Sequence, residues 1–464
     1  MNTRVRFCGI QIRGFKNVHY GKVQMPESSD KNYFSNKADI LGIYGQNGSG
    51  KTAVIEAIEV LQQLLAGETV TTAMEDYISK DSDSCSFDVD FSIVDEEKSA
   101  LVKYFVEFKK DNYVNWKIAK ETLSVKNWNG DSFDKIKRLI DYDDKCSTVI
   151  ANKSFFHALV NKKPENKIDL AVAKKLSEKD HCSFLFGKEG RKIFLDEKLE
   201  NISDAYRNII ESLYHYAHLN LFVISNRNTG FINMNFLIPF AFKVEDNHRV
   251  RKGFLPVPIH EPTVVSEEQY ELVKEIIRQM NVVLCTLIPK LHIGIYDHGV
   301  QLLEDGTKGY RIELVSKRDN VEIPLKYESE GIIKIISMLN ALIHVYNDPY
   351  SCLVIDELDS GIFEFLLGEL LSEIEKGAKG QLIFTSHNLR ILEMIQKRSI
   401  LFSTTNPDNR YIWLQNVKSS NNLRDVYLRS ILLGGQKEEI YEETDSYEIG
   451  RAFRRAGKVK KNGG

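Results

Sequence analysis

The segment from Gly45 to Thr52 restricts the possible folds of this chain more than any other feature of its sequence. Its residues are Gly45, Gln46, Asn47, Gly48, Ser49, Gly50, Lys51 and Thr52, a complete match to the pattern GxxxxGK[ST]. A short apolar run at 39–44 precedes it, and apolar residues at helical spacing follow it at 54–65. This order of strand, loop and helix predicts a phosphate-binding loop (P-loop) in an α/β fold.

The residue types in the P-loop have a chemical reason. Glycines let backbone N–H groups surround a β-phosphate, and the N-terminus of the following helix adds positive potential. Lys51 is expected to bridge the β- and γ-phosphates, and the hydroxyl of Thr52 to bind Mg²⁺. We therefore expect residues 45–52 to hold ATP together with Mg²⁺.

Two further apolar runs end in polar residues. The run 351–355 is followed by Asp356, expected to hold Mg²⁺ through water, and Glu357, expected to act as the general base on the attacking water. Paired acids are common on surfaces, so this prediction depends on the P-loop and on the next strand. That strand, 381–385, leads to His387, whose neutral imidazole can hydrogen-bond to a γ-phosphate or hold the water.

A third group, Ser329, Glu330 and Gly331, stands at the start of a predicted helix at 332–344. A serine N-cap followed by glycine creates an anion-binding helix N-terminus, and Lys334 lies one turn later. A plain N-cap explains the same residues when they are considered alone. The short distance to Asp356 along the chain favours a binding role.

The chain divides into four predicted parts. These are an N-terminal lobe with the P-loop and an antiparallel β-meander (1–126), a mostly helical insertion (127–290), a C-terminal lobe with the other motifs (291–415) and an extension with a basic tail (416–464). Helical spacing predicts helices at 202–216 and 267–287, and Pro- and Gly-containing sequence predicts irregular structure at 226–265. A hairpin is expected from strands 291–303 and 309–316. The tail from 451 to 464 is expected to be mobile.

Composition narrows the functional class. The formal net charge is −3, so contact with nucleic acid would have to be local. The sequence has no run of eighteen apolar residues and no secretory signal pattern near its N-terminus, which predicts a cytoplasmic protein. The six cysteines are scattered without a CxxC pair, so we expect reduced, buried thiols.

In this order, the motifs resemble the ABC-type ATPases of the SMC, RecF and OLD class. The likeness includes a first strand at 6–18 and covers about 1–65 and 325–415. It implies an ABC-type P-loop ATPase core, a mixed sheet with flanking helices, interrupted by a β-meander and a helical insertion. It also implies a head-to-tail dimer, in which Ser329–Gly331 of one chain reaches the γ-phosphate held by another. Only 306 positions separate Lys51 from Glu357, too few for an SMC arm.

Within that class the chain is similar to the stand-alone ATPase subunits of bacterial anti-phage systems, PARIS first and Septu next. The segments that suggest this are 356–364, 431–436 and 452–457. The resemblance implies an oligomeric sensor that controls a separate nuclease, TOPRIM-like or HNH-like, in response to a phage-encoded trigger protein. The class usually supplies a glutamine to Mg²⁺ after the first helix, but 64–150 contains none. The expected replacements are Asp81, Asp83, Ser84 or a water.

One alternative function is a RecF-like or SMC-like repair ATPase that clamps DNA. It predicts a basic surface, for which Lys162, Lys163 and Lys167 are candidates, although a solvated helical face explains them equally. The long insertion disfavours a transporter nucleotide-binding domain. No further group of metal-ligand residues suggests nuclease chemistry in this chain.

Overall fold

The computed structural model describes residues 3–70, 74–95, 98–196, 200–225, 237–246, 249–303, 305–415 and 422–456. The helices are α1 (Pro26–Ser29), α2 (Lys51–Ala66), α3 (Met74–Tyr77), α4 (Lys153–Lys162), α5 (Asn166–Asp180), α6 (Lys188–Phe194), α7 (Glu200–Leu219), α8 (Glu267–Leu287), α9 (Glu330–Asn347), α10 (Glu364–Gly377), α11 (Ile391–Met394), α12 (Leu423–Leu433) and α13 (Ser446–Ala456). The strands are β1 (Arg4–Phe15), β2 (Val18–Gln24), β3 (Asp39–Tyr44), β4 (Ser84–Asp95), β5 (Lys98–Asp111), β6 (Asn115–Trp128), β7 (Lys137–Asp143), β8 (Leu221–Ile224), β9 (Leu237–Asp246), β10 (Arg249–Pro258), β11 (Thr263–Ser266), β12 (His292–Leu302), β13 (Lys308–Arg318), β14 (Val321–Pro324), β15 (Cys352–Ile355), β16 (Gln381–Thr385), β17 (Ile400–Ser403) and β18 (Tyr411–Ile412).

A six-stranded sheet of order β18-β17-β3-β16-β15-β8 forms the centre of the fold. All neighbours in it are parallel except β17 and β18. Both faces are covered, so β3, β15 and β16 are completely buried, and most of their residues are apolar. Successive side chains of β3 enter different cores: Leu41 and Ile43 pack with α2 and α7, whereas Ile40 and Tyr44 pack with α8, α9 and α10. The predicted α/β class is confirmed.

The second large sheet has the order β2-β1-β4-β5-β6-β7 and is antiparallel. It contains the predicted meander, enlarged by β1 and β2 on one side and by β7 on the other. Its inner side chains, including Phe87 and Phe91, belong to the same core as α2 and α7. The sheet therefore stabilises the helix that begins at the P-loop.

The other face of the central sheet carries α8, α9 and α10 together with a small antiparallel sheet of β11, β13, β12 and β14. The helix predicted at 267–287 is confirmed, and α8 begins with a capping box between Ser266 and Gln269. The predicted hairpin is formed by β12 and β13. No helix in the described part of the chain is long and apolar enough to cross a membrane.

One expectation about local structure was wrong, and a second is not tested. The segment 226–265 was expected to be irregular, yet β9 and β10 pair over their whole length and β11 pairs with β13. Pro239 of β9 lies opposite Pro256 of β10, and neither proline has an N–H that could donate a hydrogen bond between the strands. The tail was expected to be mobile from 451; α13 continues to Ala456, 457–464 lies outside the described residues, and the mobility stays a prediction. The division of the chain into four parts remains a prediction.

Candidate functional site

Three strands of the central sheet end beside the same pocket. β3 leads into the P-loop, β15 into Asp356 and Glu357, and β16 into His387. Because these strands are parallel, their carboxyl ends share one edge of the sheet, where α/β proteins place their ligands. The pocket has a volume of about 420 Å³ and is lined by Lys16, Asn17, Asn47, Gly48, Gly50, Lys51, Thr52, Ala53, Asp356, Glu357, Thr385 and His387.

The P-loop depends on glycine at three positions with positive φ. Gly45, Gly48 and Gly50 have φ of 152°, 79° and 88°. A Cβ atom on Gly45 would lie 1.9 Å from the Oγ of Ser403, so β17 presses directly against the start of the loop. Ser49 is buried and its hydroxyl donates to the carbonyl of Gln46 at 2.7 Å. Five residues of the loop line the pocket. The other three, Gly45, Gln46 and Ser49, lie outside the pocket lining and support the loop.

Lys51 lies at the base of the pocket with only 7% of its surface exposed. Its Nζ donates to the carbonyl oxygens of Gly45 (2.9 Å) and Gln46 (2.8 Å). Burial lowers the pKa of the ammonium, while the nearby carboxylates of Asp356 and Glu357 raise it in opposition. The cation is thus oriented by the loop's own carbonyls and faces the acids across the pocket.

Asp356 is completely buried at the end of β15. The hydroxyl of Thr385 donates to its Oδ1 at 2.5 Å, whereas Oδ2 has no hydrogen-bond partner among the described residues. Burial raises the pKa of this carboxyl, and the hydroxyls of Thr385 and Thr52 counteract that rise. A buried carboxylate oxygen without a partner, beside the Thr52 hydroxyl, is the oxygen-donor set that suits Mg²⁺.

Glu357 has an unusual backbone conformation for a non-glycine residue, with φ of 49°. Its N–H donates to the Thr385 hydroxyl at 2.7 Å, and its carbonyl accepts from Nζ of Lys334 at 3.1 Å. Both contacts keep the backbone in this left-handed region, so the carboxylate turns into the pocket and away from the path of the strand. Strain of this kind is concentrated at functional sites.

His387 lies on the opposite wall of the pocket. Its backbone N–H donates to Oδ2 of Asp359 at 3.1 Å, which ties the loop after β16 to the loop after β15. Burial lowers the pKa of the imidazole, the charge of Lys51 lowers it further, and Asp359 opposes both. The ring is therefore neutral at pH 7 and can both accept and donate a hydrogen bond.

Ser329, Glu330 and Gly331 do not line this pocket. Ser329 caps α9 by accepting from the N–H of Ile332 at 3.4 Å, and both Ser329 and Glu330 are exposed. A Cβ atom on Gly331 would lie 2.0 Å from the carbonyl oxygen of Gly361, so glycine is required by the close approach of the 358–364 loop. These three residues form a separate surface corner.

Sequence reasoning did not assign Lys16 and Asn17 to the site. Lys16 forms an ion pair with Glu56 of α2 and lies 4.8 Å from the centre of the Tyr77 ring. The side-chain amide of Asn17 donates to the carbonyl of Gly48 at 2.5 Å. The pairing of β1 with β2 turns both residues toward the P-loop, a long-range effect without a local signal in the sequence.

The C-terminal extension also contacts the P-loop. The Oε1 atom of Gln46 accepts from the N–H of Glu442 at 2.8 Å. Just before it, Ile440 is buried against the central core, and the N–H of Thr405 donates to the carbonyl of Glu439 at 2.9 Å.

The residues expected to replace the missing glutamine do not line the pocket: neither Asp81 nor Asp83 nor Ser84 is part of its lining. That replacement remains unassigned.

Comparison with known proteins places this geometry in a family. The model for the AAA ATPase domain matches residues 7–392 of the 464. Similar solved structures include an SMC head bound to the C-terminal winged-helix domain of ScpA (12% identity, TM-score 0.44) and an SMC head with an extended coiled coil bound to the C-terminal domain of ScpA from Pyrococcus furiosus (13%, 0.40). A third is the SMC head domain from Thermotoga maritima (12%, 0.36).

Each of these alignments covers 88% of this chain and 96%, 96% and 99% of the respective structures. None of the curated proteins matches the sequence. The family match includes the P-loop, both acids after β15 and His387, and it implies nucleotide binding. The chain belongs to the family of proteins with an AAA ATPase domain.

Proposed function

We propose that this chain binds ATP with Mg²⁺ in the pocket at the end of β3, β15 and β16 and hydrolyses it. One observation carries the proposal: a buried lysine, a hydroxyl, an unpartnered buried carboxylate oxygen, a second carboxylate and a neutral imidazole line the same pocket. Phosphoryl transfer requires three kinds of group. A cation and a helix N-terminus bind phosphate, oxygen donors bind a divalent ion, and a base accepts a proton from water.

The roles follow from position and charge. Lys51 exchanges its two loop carbonyls for oxygens of the β- and γ-phosphates, and Thr52 and Asp356 hold Mg²⁺, which neutralises charge on those phosphates when bound. Glu357 accepts a proton from the attacking water. His387 contacts the γ-phosphate or that water through its neutral ring. The Thr385 hydroxyl accepts from the N–H of Glu357 and donates to Asp356, which keeps both acids oriented during this step.

We also propose that a second chain completes the site through Ser329–Gly331. The N-terminus of α9 is exposed at Ser329 and Glu330, and it lies outside the pocket of its own chain. Phe363 and Phe365, in and just after the neighbouring loop, are 69% and 49% exposed. Exposed aromatic residues beside a polar helix end are suited to contact between chains.

At the level of the cell, we propose an anti-phage sensor that assembles into homo-oligomers and controls a separate TOPRIM-like or HNH-like nuclease upon meeting a phage-encoded trigger. The motif-level resemblance at 356–364 and 431–436 supports this role. Because binding and hydrolysis of ATP would change the contact between chains, nucleotide serves here to switch the assembly that holds the nuclease.

Two measurements test these proposals. Phosphate release from ATP by the purified full chain should require Mg²⁺, and no release under any condition would remove the ATPase assignment. For the sensor, the protein encoded beside this chain should co-purify with it and show nuclease activity only after phage infection. Salt-sensitive, ATP-dependent affinity for duplex DNA without such a partner would favour the DNA-clamping alternative. Of the basic residues considered for that alternative, Lys163 already pairs with Asp196 at 3.4 Å.

A further inference from the structure

The last described helix, α13, has an apolar side that no other described part of the chain covers. Ile449, Ala452, Phe453 and Ala456 recur at the i, i+3, i+4 and i+7 positions of one helix face. No residue of α13 is buried, and Phe453 is 77% exposed. A helix of 11 residues is too short to be stable by itself in water, where about 12–15 residues are marginal. The helix therefore needs a partner surface.

A groove between α8, α9 and α10 offers such a surface. It has a volume of about 450 Å³, and its walls are apolar side chains of all three helices. They include Val283, Leu287, Ile343, Tyr346, Leu366 and Leu370. An apolar groove between helices is the usual receptor for an amphipathic helix with anchors at i, i+3, i+4 and i+7.

The charges of the two surfaces are complementary. The polar side of α13 carries Arg451, Arg454 and Arg455 against a single acid, Glu448. The groove is bordered by Glu369 and Glu373, both exposed on α10. At about 3.6 residues per turn, Arg455 lies at the border of the apolar side, beside Ala452, and its attraction to these acids adds to the apolar contact.

The path of the chain favours a groove on another molecule. Ile440 is buried, and the N–H of Glu442 is held by Gln46, so α13 starts close to the P-loop edge of the central sheet. Only residues 443–445 separate that point from the helix, a span of about 14 Å at most. The groove extends to the ends of α9 and α10, which precede β15 and β16 and therefore lie at the opposite edge of the sheet.

We propose that α13 of one chain docks into the α8–α9–α10 groove of a second copy of this chain. The contact is reciprocal in a two-fold dimer, so each pair of chains makes it twice. It uses no nucleotide-binding residue and is independent of the proposed ATPase activity. It holds two chains together between successive rounds of nucleotide binding.

The test is sedimentation velocity of the full chain without nucleotide. The unmodified chain should associate, and Phe453→Asp should weaken association at least about tenfold by placing a charge at the central anchor. Leu370→Asp should do the same from the groove. Tyr447→Asp is the matched control, because Tyr447 is 67% exposed on the other side of α13 and should change nothing.

A mixing experiment separates contact between chains from contact within one chain. Phe453→Asp chains retain an intact groove, and Leu370→Asp chains retain an intact helix, so an equimolar mixture recovers one of the two contacts. Sedimentation of the mixture with one partner fluorescently labelled should show mixed dimers. A mixture that stays monomeric, or an unmodified chain that is monomeric, overturns the proposal.

Leu370 is partly buried, so its replacement by Asp could also disturb folding. The pair Glu369→Lys and Glu373→Lys alters only exposed side chains and provides a second test. It should weaken association, and the difference from the unmodified chain should shrink as salt increases. Association that is unchanged in this pair and in Phe453→Asp would contradict docking in the groove.

Discussion

The P-loop and the N-terminus of α9 are two helix starts that we propose bind phosphate, and their surroundings are opposite. Lys51 and Lys334 are both buried, and burial lowers the pKa of both ammonium groups near the same acids, Asp356 and Glu357. Lys51 lines the pocket, whereas Lys334 donates to the carbonyl of Glu357 from the other side. The first start is enclosed by its own chain, and the second is exposed.

Under the proposed function, the P-loop forms the site within one chain, and the start of α9 acts on the site from a second chain. Gly331 touches the backbone of Gly361, and Lys334 one turn later touches the backbone of Glu357. A ligand at the exposed end of α9 would therefore act on the very backbone that orients the proposed base. Coupling of this kind would make hydrolysis depend on the second chain.

The largest expected effect is the loss of nucleotide affinity when the P-loop is changed. Lys51→Ala removes the cation at the base of the pocket, and nucleotide affinity should fall about 100-fold or more, since a charge-assisted contact to phosphate is lost. Titration with a fluorescent ATP analogue measures this. Lys162→Ala, an exposed lysine on α4, is the control and should bind normally. Unchanged affinity in Lys51→Ala would remove the P-loop from nucleotide binding.

Glu357→Gln should leave nucleotide affinity nearly unchanged but reduce turnover about 100- to 1,000-fold, because the amide cannot accept the proton of the attacking water. Steady-state phosphate release and the binding titration together separate the two effects. Glu68→Gln, at an exposed position just beyond α2, should retain full turnover. Turnover at the unmutated rate in Glu357→Gln would mean that another group is the base.

Ser329→Arg tests the exposed end. It should reduce turnover about tenfold or more without changing nucleotide binding, because the bulky side chain blocks contact of α9 with a second chain. An equimolar mixture with Glu357→Gln should recover about a quarter of the activity, since half of the dimers then contain one complete site. If the mixture shows no recovery, Ser329 does not act between chains.

The smallest effect concerns pH. The pKa of His387 lies below its ordinary value of 6.5, so the ring is neutral above that pH and takes up a proton only as pH falls further. Turnover that needs the neutral ring should be constant above 6.5 and decline below it. A pH series of phosphate release for the parent and His387→Ala checks this. The variant should be slower by about tenfold and lack the decline attributable to this histidine.

Much of the fold was predictable because its signals are local. The P-loop pattern, the apolar run of β3 and the helical spacing of α2 lie within one short stretch of chain. The strictly alternating β4 and the capping box of α8 are of the same kind. The hairpin of β9 and β10 was missed because its strands carry prolines that suggest irregular structure.

The candidate site was predictable only in part for the same reason. Asp356, Glu357 and His387 follow recognisable buried strands, so their convergence could be expected from parallel pairing. Lys16 and Asn17 had no such signal, because a lysine in a turn is ordinary and only the pairing of β1 with β2 and β4 places it beside α2. The contact between Gln46 and Glu442 joins residues almost 400 positions apart.

The sequence by itself determined the chemistry available to this protein: a lysine and glycines for phosphate, a threonine and an aspartate for a divalent ion, and a glutamate for water. Residue type and local spacing are enough for that, because they depend on neighbours in the chain. The tertiary structure decided which groups meet. It buried Asp356 with one oxygen that no described residue hydrogen-bonds, turned Glu357 into the pocket and left the start of α9 exposed. Strand order and long-range packing set those features, and local sequence carries no record of either.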